Sequence, residues 1–381
     1  MFINFWYPVV QSADLKEAPL RVRILAQDFV VFRDTGGNAK VLSNTCTHRG
    51  ASLAGGKIRG DHIQCPYHGW QFDGGGVCRR IPSLGATAGI PGRARVDAYP
   101  VVERYGLVFA FLGDLPEAER PPMLEVPEYG REGWRASTIN YQVDCDYERS
   151  IENGMDPAHN EFVHPTHGFS GENDDYKVRP MRWVGDGRWG PGFFSTFKSP
   201  ASKDPELAKM KGASDNREAG SGVIGPNHMW TYIRFGPGKN MHQYMWEAPI
   251  DEGRTNIFFL NMRSTFLEPE MDERVTKQNW MIAEQDIQVL TRLEPRLTPP
   301  TNTKEFMMPA DEPILRYREK LKEFESFGWR IDTSTVYANR LKTAYAIPSP
   351  GRRQHKGWVL DAVPLLPAGR SASVHAAASG A

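Results

Sequence analysis

Two short stretches of this chain carry residues whose types and spacing suit metal chemistry. Cys46-Thr47-His48-Arg49-Gly50 and Cys65-Pro66-Tyr67-His68-Gly69-Trp70 together read C-x-H-x16-C-x-x-H. Clustered thiolates and imidazoles are metal ligands. A Cys2His2 zinc site is one reading, but a finger-type site takes both cysteines from one segment and both histidines from the other. Here each stretch supplies one of each. That division suits a 2Fe-2S centre in which Cys46 and Cys65 hold one iron and His48 and His68 the other. The glycine closing each box lets the backbone turn tightly around such a cluster. Cys78 and Cys145 have no histidine nearby in the sequence and read as free, structural thiols.

A second constellation lies in Glu152-Asn153-Gly154-Met155-Asp156-Pro157-Ala158-His159-Asn160-Glu161-Phe162-Val163-His164. Two histidines five residues apart sit ~140° apart around an ideal helix, so a regular helix would separate them. Gly154 and Pro157 argue against a regular helix, and a distortion at or after His159 would let both rings reach one point. Two histidines and one carboxylate make the facial triad of non-heme Fe(II) oxygenases, which leaves positions open for O2 and substrate. The carboxylate must come from elsewhere. In Ala283-Glu284-Gln285-Asp286-Ile287, Asp286 lies beside the apolar stripe of a long helical pattern, where an acid needs a partner or a metal. Glu284 points elsewhere, and Glu294 is a further candidate.

The elements that must position these residues divide the chain. Its 381 residues, 40% hydrophobic and 24% charged, suffice for a packed core and suggest two domains. The 46 basic residues equal the 46 acidic ones, which argues against nucleic acid or an anionic membrane as the main partner. No apolar run approaches the ~20 residues of a membrane span. The N-terminus does not read as a secretory signal, and four cysteines are too few for a disulfide scaffold, so a cytoplasmic location is expected. Residues 1–115 read as short strands punctuated by Gly, Asn and Asp. These include 22–25, 29–32, 39–42, 62–64, 71–72 and 107–111. Residues 116–127 are a Pro-rich linker. Residues 128–363 form the second domain, with a helical pattern over 144–164, a strand meander at 229–235, 241–248 and 256–263, and helices over 271–293 and from Asp311 to about Phe327. Residues 199–222 read as a surface loop and 364–381 as a disordered tail. Gly185-Asp186-Gly187-Arg188-Trp189-Gly190 formally matches G-x-G-x-x-G, but no helix pattern follows, so it reads as a hairpin loop. With no flavin or nicotinamide motif, separate redox partners are required.

The paired C-x-H-R-G and C-P-Y-H-G-W boxes, then E-N-x-x-D-P-x-H-x4-H, then the E-Q-D-x-x-V-L helix, resemble the α (oxygenase) subunit of Rieske non-heme iron oxygenases. The resemblance spans roughly residues 5–330. It implies an α+β fold: an N-terminal antiparallel β Rieske domain and a C-terminal helix-grip-like catalytic domain around a central antiparallel sheet. It implies that Cys46, His48, Cys65 and His68 bind the 2Fe-2S cluster and that His159, His164 and Asp286 bind mononuclear Fe(II). Asn153 and Asp156 are then the catalytic candidates, with Asp156 linking the two centres through a histidine of each. The implied activity is hydroxylation or oxidative demethylation of a mostly apolar, aromatic small molecule by a homotrimer. Its electrons would come from a ferredoxin or flavin reductase. An aromatic-ring cis-dihydroxylating dioxygenase is the alternative, and an iron-sulfur electron-transfer protein without oxygenase activity is a reading from a different class. The substrate itself is not legible.

Overall fold

The computed structural model describes residues 1–198 and 216–369. Contacts between Cα atoms divide the chain into two compact units. One comprises Met1–Pro121 with the stretch from Glu323 onward, the other Pro122–Lys322.

The first unit opens with short strands: β1 (Phe5–Gln11), β2 (Leu20–Ile24), β3 (Gln27–Arg33), β4 (Ala39–Ser43), β5 (Lys57–Arg59), β6 (His62–Gln64), β7 (Gln71–Phe72), β8 (Cys78–Arg80), β9 (Ala98–Tyr99), β10 (Val101–Arg104) and β11 (Leu107–Leu112). They build three antiparallel sheets, ordered β1-β11-β10, β2-β3-β4-β9 and β5-β6-β7-β8. The continuous apolar run of β11 is buried along its whole length, as a strand covered on both faces should be. The first Cys/His box lies in the connection from β4 to β5, between two of these sheets, and the second connects β6 to β7 within the small sheet β5–β8.

The C-terminal stretch joins this unit, whereas the sequence reading placed everything up to residue 363 in the second domain. The reason is a long-range polar clamp that no local pattern encodes. Fully buried Asp97 accepts from Ser349 N at 3.0 Å and Ser349 Oγ at 2.8 Å, and from Arg352 Nε at 2.8 Å and Nη2 at 2.7 Å. Phe324 and Trp329 pack edge-on against Phe5. Leu366 N and Gly369 N bond to Arg330 O and Ser326 O, so the first part of the expected tail is tied down. Residues 370–381 lie outside the described residues. Replacing Arg352 by Ala leaves a buried carboxylate without its cation, which costs ~3–5 kcal/mol. A drop in melting temperature should report that loss, and an unchanged melting temperature would show that the clamp contributes nothing.

The second unit is built on one seven-stranded antiparallel sheet. Its strands are β12 (Arg135–Val143), β13 (Arg182–Val184), β14 (Gly192–Lys198), β15 (Asn216–Ile224), β16 (His228–Gly236), β17 (Lys239–Asp251) and β18 (Arg254–Arg263), in the order β12-β18-β17-β16-β15-β14-β13. Three helices matter for the site: α1 (Tyr147–Met155), α2 (Asn160–Val163) and α3 (Met271–Leu290), the last packed on β12. The expected meander is present with longer strands, and the G-x-G-x-x-G stretch is the turn of the β13–β14 hairpin. The helical pattern over 144–164 is interrupted. Asp146 caps α1 by accepting from Glu148 N at 3.0 Å, and the helix stops where Asp156 turns extended before Pro157. The loop expected over 199–222 is strand β15 from Asn216 onward, and residues 199–215 lie outside the described residues. Its glycines misled the reading. A Cβ on Gly222 would come within 2.4 Å of the Trp230 indole on the next strand, so a tertiary contact excludes a side chain there.

Candidate metal centres

The two Cys/His boxes fold into nearly equivalent loops. Cys46 N donates to Ala51 O and Gly50 N to Cys46 O, both at 2.9 Å. Cys65 N donates to Trp70 O at 2.7 Å and Gly69 N to Cys65 O at 3.1 Å. Gly50 and Gly69 both have left-handed backbones, with φ of 74° and 71°, so the residue closing each loop is glycine for a steric reason. The loops set both thiols inside, where Cys46 and Cys65 are 1% and 2% exposed, and both imidazoles outside. The His48 and His68 rings stand 4.3 Å apart, and His48 stacks on Trp70 at 4.6 Å. Burial and the neighbouring Cys65 thiol push Cys46 up to about 12, against backbone N–H groups of His48 and Arg49 that favour its thiolate. Two adjacent buried sulfurs with two outward imidazoles fit a two-iron cluster with Cys ligands on the inner iron and His on the outer. Cys78 and Cys145 are buried free thiols; Cys78 packs in the same core cluster as Cys46 and Cys65, and Cys145 Sγ donates to Asp146 O at 3.2 Å.

Replacing Cys46 by Ser should therefore remove the visible and electron-paramagnetic signature of the cluster, and turnover with it, because no spare thiolate lies in either loop. His68→Ala should do the same. A variant of either kind with an unchanged spectrum would overturn the ligand assignment.

In the second unit, His159 and His164 flank the single turn α2, and His164 leaves helical geometry (φ −112°, ψ 68°) ahead of Pro165, so both rings converge with Asp286 of α3. The Nε2 atoms of the two histidines are 3.1 Å apart, and Asp286 Oδ1 lies 3.3 Å from His164 Nε2 and 3.8 Å from His159 Nε2. Adjacent positions around an ion with bonds of ~2.1 Å are about 3 Å apart. The outer ring nitrogens fix the tautomers. His159 Nδ1 faces Asp156 O at 2.8 Å and His164 Nδ1 faces Gln285 Oε1 at 3.0 Å. Both acceptors require the proton on Nδ1, so both Nε2 lone pairs point at each other and at a carboxylate. Three facing acceptors demand a cation at their centre, and this fits a ferrous ion. The electrostatics agree. Burial disfavours a charged His159, yet Asp156 and Asp286 raise its pKa. Burial opposes ionisation of Asp286, yet His164, His159 and Asn153 hold it below the usual carboxylate range.

The remaining candidates fall around this triad. Asn153 Nδ2 donates to Asp286 Oδ1 at 3.0 Å. Asp156 ends α1, accepts from Ala158 N at 2.6 Å through Oδ1, and keeps Oδ2 3.7 Å from His159 Nδ1. Glu284 and Glu294 are exposed and take no part. Helix α1 is held by a buried ion network in which Arg318 grips Glu152 at 2.6 and 2.8 Å and Glu305 at 2.6 Å, and Arg149 grips Glu305 at 2.7 Å. Sequence reasoning missed Gln285, which adjoins Asp286 in the same motif, and Thr166, whose hydroxyl donates to Gln285 Oε1 at 3.0 Å.

A cavity of about 1050 Å³ opens on the triad. Strand alternation decides which side chains face it. Met229, Thr231, Ile233 and Phe235 of β16 and Met241, Gln243, Met245 and Glu247 of β17 line it. Trp230, Tyr232, Tyr244 and Trp246 alternate with them and stack on one another instead. Of the aromatic residues conspicuous in these strands, Phe235 lines the cavity and the others do not.

Residues 5–100 match the family model described as Rieske [2Fe-2S] domain, and residues 211–325 that of the vanillate O-demethylase oxygenase C-terminal domain. The oxygenase component of dicamba O-demethylase from Stenotrophomonas maltophilia is 30% identical over 275 residues, covering 71% of this chain and 74% of the relative. The oxygenase subunit of 5,5'-dehydrodivanillate O-demethylase from Sphingobium sp. is 34% identical over 166 residues, 42% of this chain and 38% of the relative. The matched stretch thus spans well under half the length of that relative. The solved structure of NdmA of Pseudomonas putida CBB5 with caffeine shares the fold with a TM-score of 0.71 at 24% identity, over 85% of this chain and 91% of that one.

Proposed function

The chain belongs to the Rieske non-heme iron oxygenases as an oxygenase component, and on that premise we propose that it hydroxylates or oxidatively demethylates a mostly apolar, aromatic small molecule. The observation that carries this reading is the convergence of His159, His164 and Asp286 at the wall of a large, mainly apolar cavity, in a chain that also presents two cysteines and two histidines as a cluster site. When bound, the cluster supplies electrons singly and the ferrous ion supplies the O2 chemistry. The chain's own residues do the rest. His159, His164 and Asp286 hold the ion and leave its other positions to the cavity. Asp156 O and Gln285 Oε1 lock the two rings in the metal-binding tautomer. Asn153 fixes the carboxylate. Met229, Ile233 and Met245 exclude water and take up the apolar body of the substrate. The VanA-type C-terminal match and the demethylase relatives support demethylation.

Electrons reach the protein from a separate ferredoxin or flavin reductase, and the working assembly is a homotrimer. No helix among the described residues is long and apolar enough to cross a membrane. Four free, buried cysteines suit the cytoplasm. The test is a count of iron per chain followed by an oxygen-uptake screen of aryl methyl ethers, N-methylated heterocycles and aromatic acids with a surrogate reductase. About three irons and substrate-dependent uptake are expected. About two irons and no uptake would leave an electron carrier, and zinc in a colourless protein would remove both readings. Two oxygen atoms in the product, not one, would make the enzyme a ring dihydroxylase.

A further inference from the structure

Glu247 is an acid that neither metal site accounts for. It sits on β17, 1% exposed, and faces the cavity. Ser150 Oγ donates to its Oε1 at 2.6 Å, and its Oε2 has no hydrogen-bond partner. A buried polar atom without a partner calls for an explanation, and a catalytic task is one. Among the described residues no ion pair joins Glu247 to a cation. Arg149, next to Ser150, is engaged by Glu305, Glu152 and the carbonyls of Pro295 and Leu297. The other titratable groups around Glu247 are Asp146 at the cap of α1, Glu148 and Glu152 on α1, Cys145 and Tyr141 by β12, and Tyr317 on the helix Glu312–Ser326. His228 of β16 stands opposite the preceding residue, Trp246, and its Nδ1 accepts from Leu124 N at 3.4 Å. On the other side β18 presents Ile257. One hydroxyl and no cation do not sustain a buried carboxylate at neutral pH. Burial pushes Glu247 up to about 8, with Ser150 pulling the other way and Asp146 adding to the rise. Ser150 and Asn153 sit one turn apart on α1 and donate to Glu247 at 2.6 Å and to Asp286 at 3.0 Å, which places this acid on the same stretch of wall as the iron ligands.

We propose that Glu247 is the proton donor for the oxygen chemistry of this cavity, giving up the hydrogen on Oε2 and regaining it from cavity water, with Ser150 holding Oε1. The inference rests on the oxygenase reading above. Insertion of one oxygen converts RH, O2, two electrons and two protons into ROH and H2O. The bound cluster and the ferrous ion would supply one electron each, and the protons must enter a mainly apolar chamber. Without organic substrate the same two electrons and two protons convert O2 into hydrogen peroxide.

That uncoupled reaction supplies a test that needs no known substrate. The iron-loaded holoenzyme, reduced by dithionite, is mixed with aerated buffer between about pH 6 and pH 10. Cluster reoxidation is followed by absorbance and released hydrogen peroxide is assayed. Above about pH 8 the parent rate should fall tenfold per pH unit. Glu247→Gln should be ~100-fold slower at pH 7 and flat with pH. Ser150→Ala removes a bond that favours the ionised form, so its alkaline limb should move to higher pH, an effect that mere loosening of the fold would not produce. It also carries the test if Glu247→Gln does not fold. Infrared titration of the iron-free chain should show an un-ionised carboxyl band that disappears near pH 8 and is missing in Glu247→Gln. Absence of that band at pH 7, or iron-replete Glu247→Gln and Ser150→Ala variants with the parent's rate and profile, would overturn the proposal alone. A parent that binds no third iron would overturn the oxygenase reading and this proposal with it.

Discussion

Replacing Asp286 by Ala should leave about two irons per chain where the parent holds about three, with the red-brown cluster unchanged and turnover lost. The two sites draw on separate segments. The cluster ligands lie between residues 46 and 68, whereas the triad is assembled from the broken helix after Asp156 and from α3. Asp286 brings the single full negative charge among the three ligand atoms, so its loss leaves two neutral imidazoles against a divalent ion. His159→Ala and His164→Ala should behave alike, each removing one of three converging acceptors. Iron and acid-labile sulfide analysis, with the cluster's spectrum as the internal standard, separates the two centres. An Asp286→Ala protein with full iron and activity would mean that another acid completes the triad. Glu284 and Glu294 are the nearest in sequence but are exposed, so that outcome would require α3 to turn.

What could be read in advance depended on how far apart the cooperating residues lie. The Cys46 and Cys65 loops were legible because ligand, closing glycine and turn sit within five residues of each other, where local chemistry decides the conformation. The convergence of His159 and His164 depended on the distortion expected at or after His159, and it falls at His164 ahead of Pro165; Gly154, read as a breaker, stays inside α1, where Met229 fills the space a side chain would need. Asp286 was legible as an acid beside an apolar helix face. The groups that tune these ligands were not. Gln285 meets His164 across 121 positions and Ser150 meets Glu247 across 97, and nothing local distinguishes that glutamate from a surface acid. The same limit hid β15, whose Gly220 and Gly222 read as loop residues until Phe194 and Trp230 are seen to occupy the space above them. It also hid the C-terminal clamp, because Asp97 and Arg352 are 255 positions apart.

The last expectation concerns electron delivery. Asp156→Asn should leave both metal centres filled yet slow reoxidation of the reduced cluster ~10–100-fold, the scale at which loss of a carboxylate behind a metal-bound histidine is felt. The backbone carbonyl of Asp156, not its carboxylate, holds the His159 ring, which leaves the carboxylate for another partner. Oδ1 is committed to Ala158 N at 2.6 Å, whereas Oδ2 is 3.7 Å from His159 Nδ1 and the side chain is 21% exposed. In a head-to-tail trimer, a heterologous ring that closes, Oδ2 would accept from His68 of the partner subunit. Charge favours that docking. Residues 46–95 hold Arg49, Lys57, Arg59, Arg79, Arg80, Arg93 and Arg95 against Asp61 and Asp73. Residues 156–175 present Asp156, Glu172, Asp174 and Asp175, besides the buried Glu161, with no Lys or Arg. Opposed surfaces of this kind attract at low salt and are screened within about 8 Å at physiological ionic strength. Two measurements decide the matter: stopped-flow reoxidation of the cluster with O2 and a substrate from the uptake screen, and mass by light scattering across a salt series. A monomer that turns over at full rate, or an Asp156→Asn variant reoxidised as fast as the parent, would exclude this route. A trimer that loosens with salt as its reoxidation slows would place electron transfer at the contact between subunits.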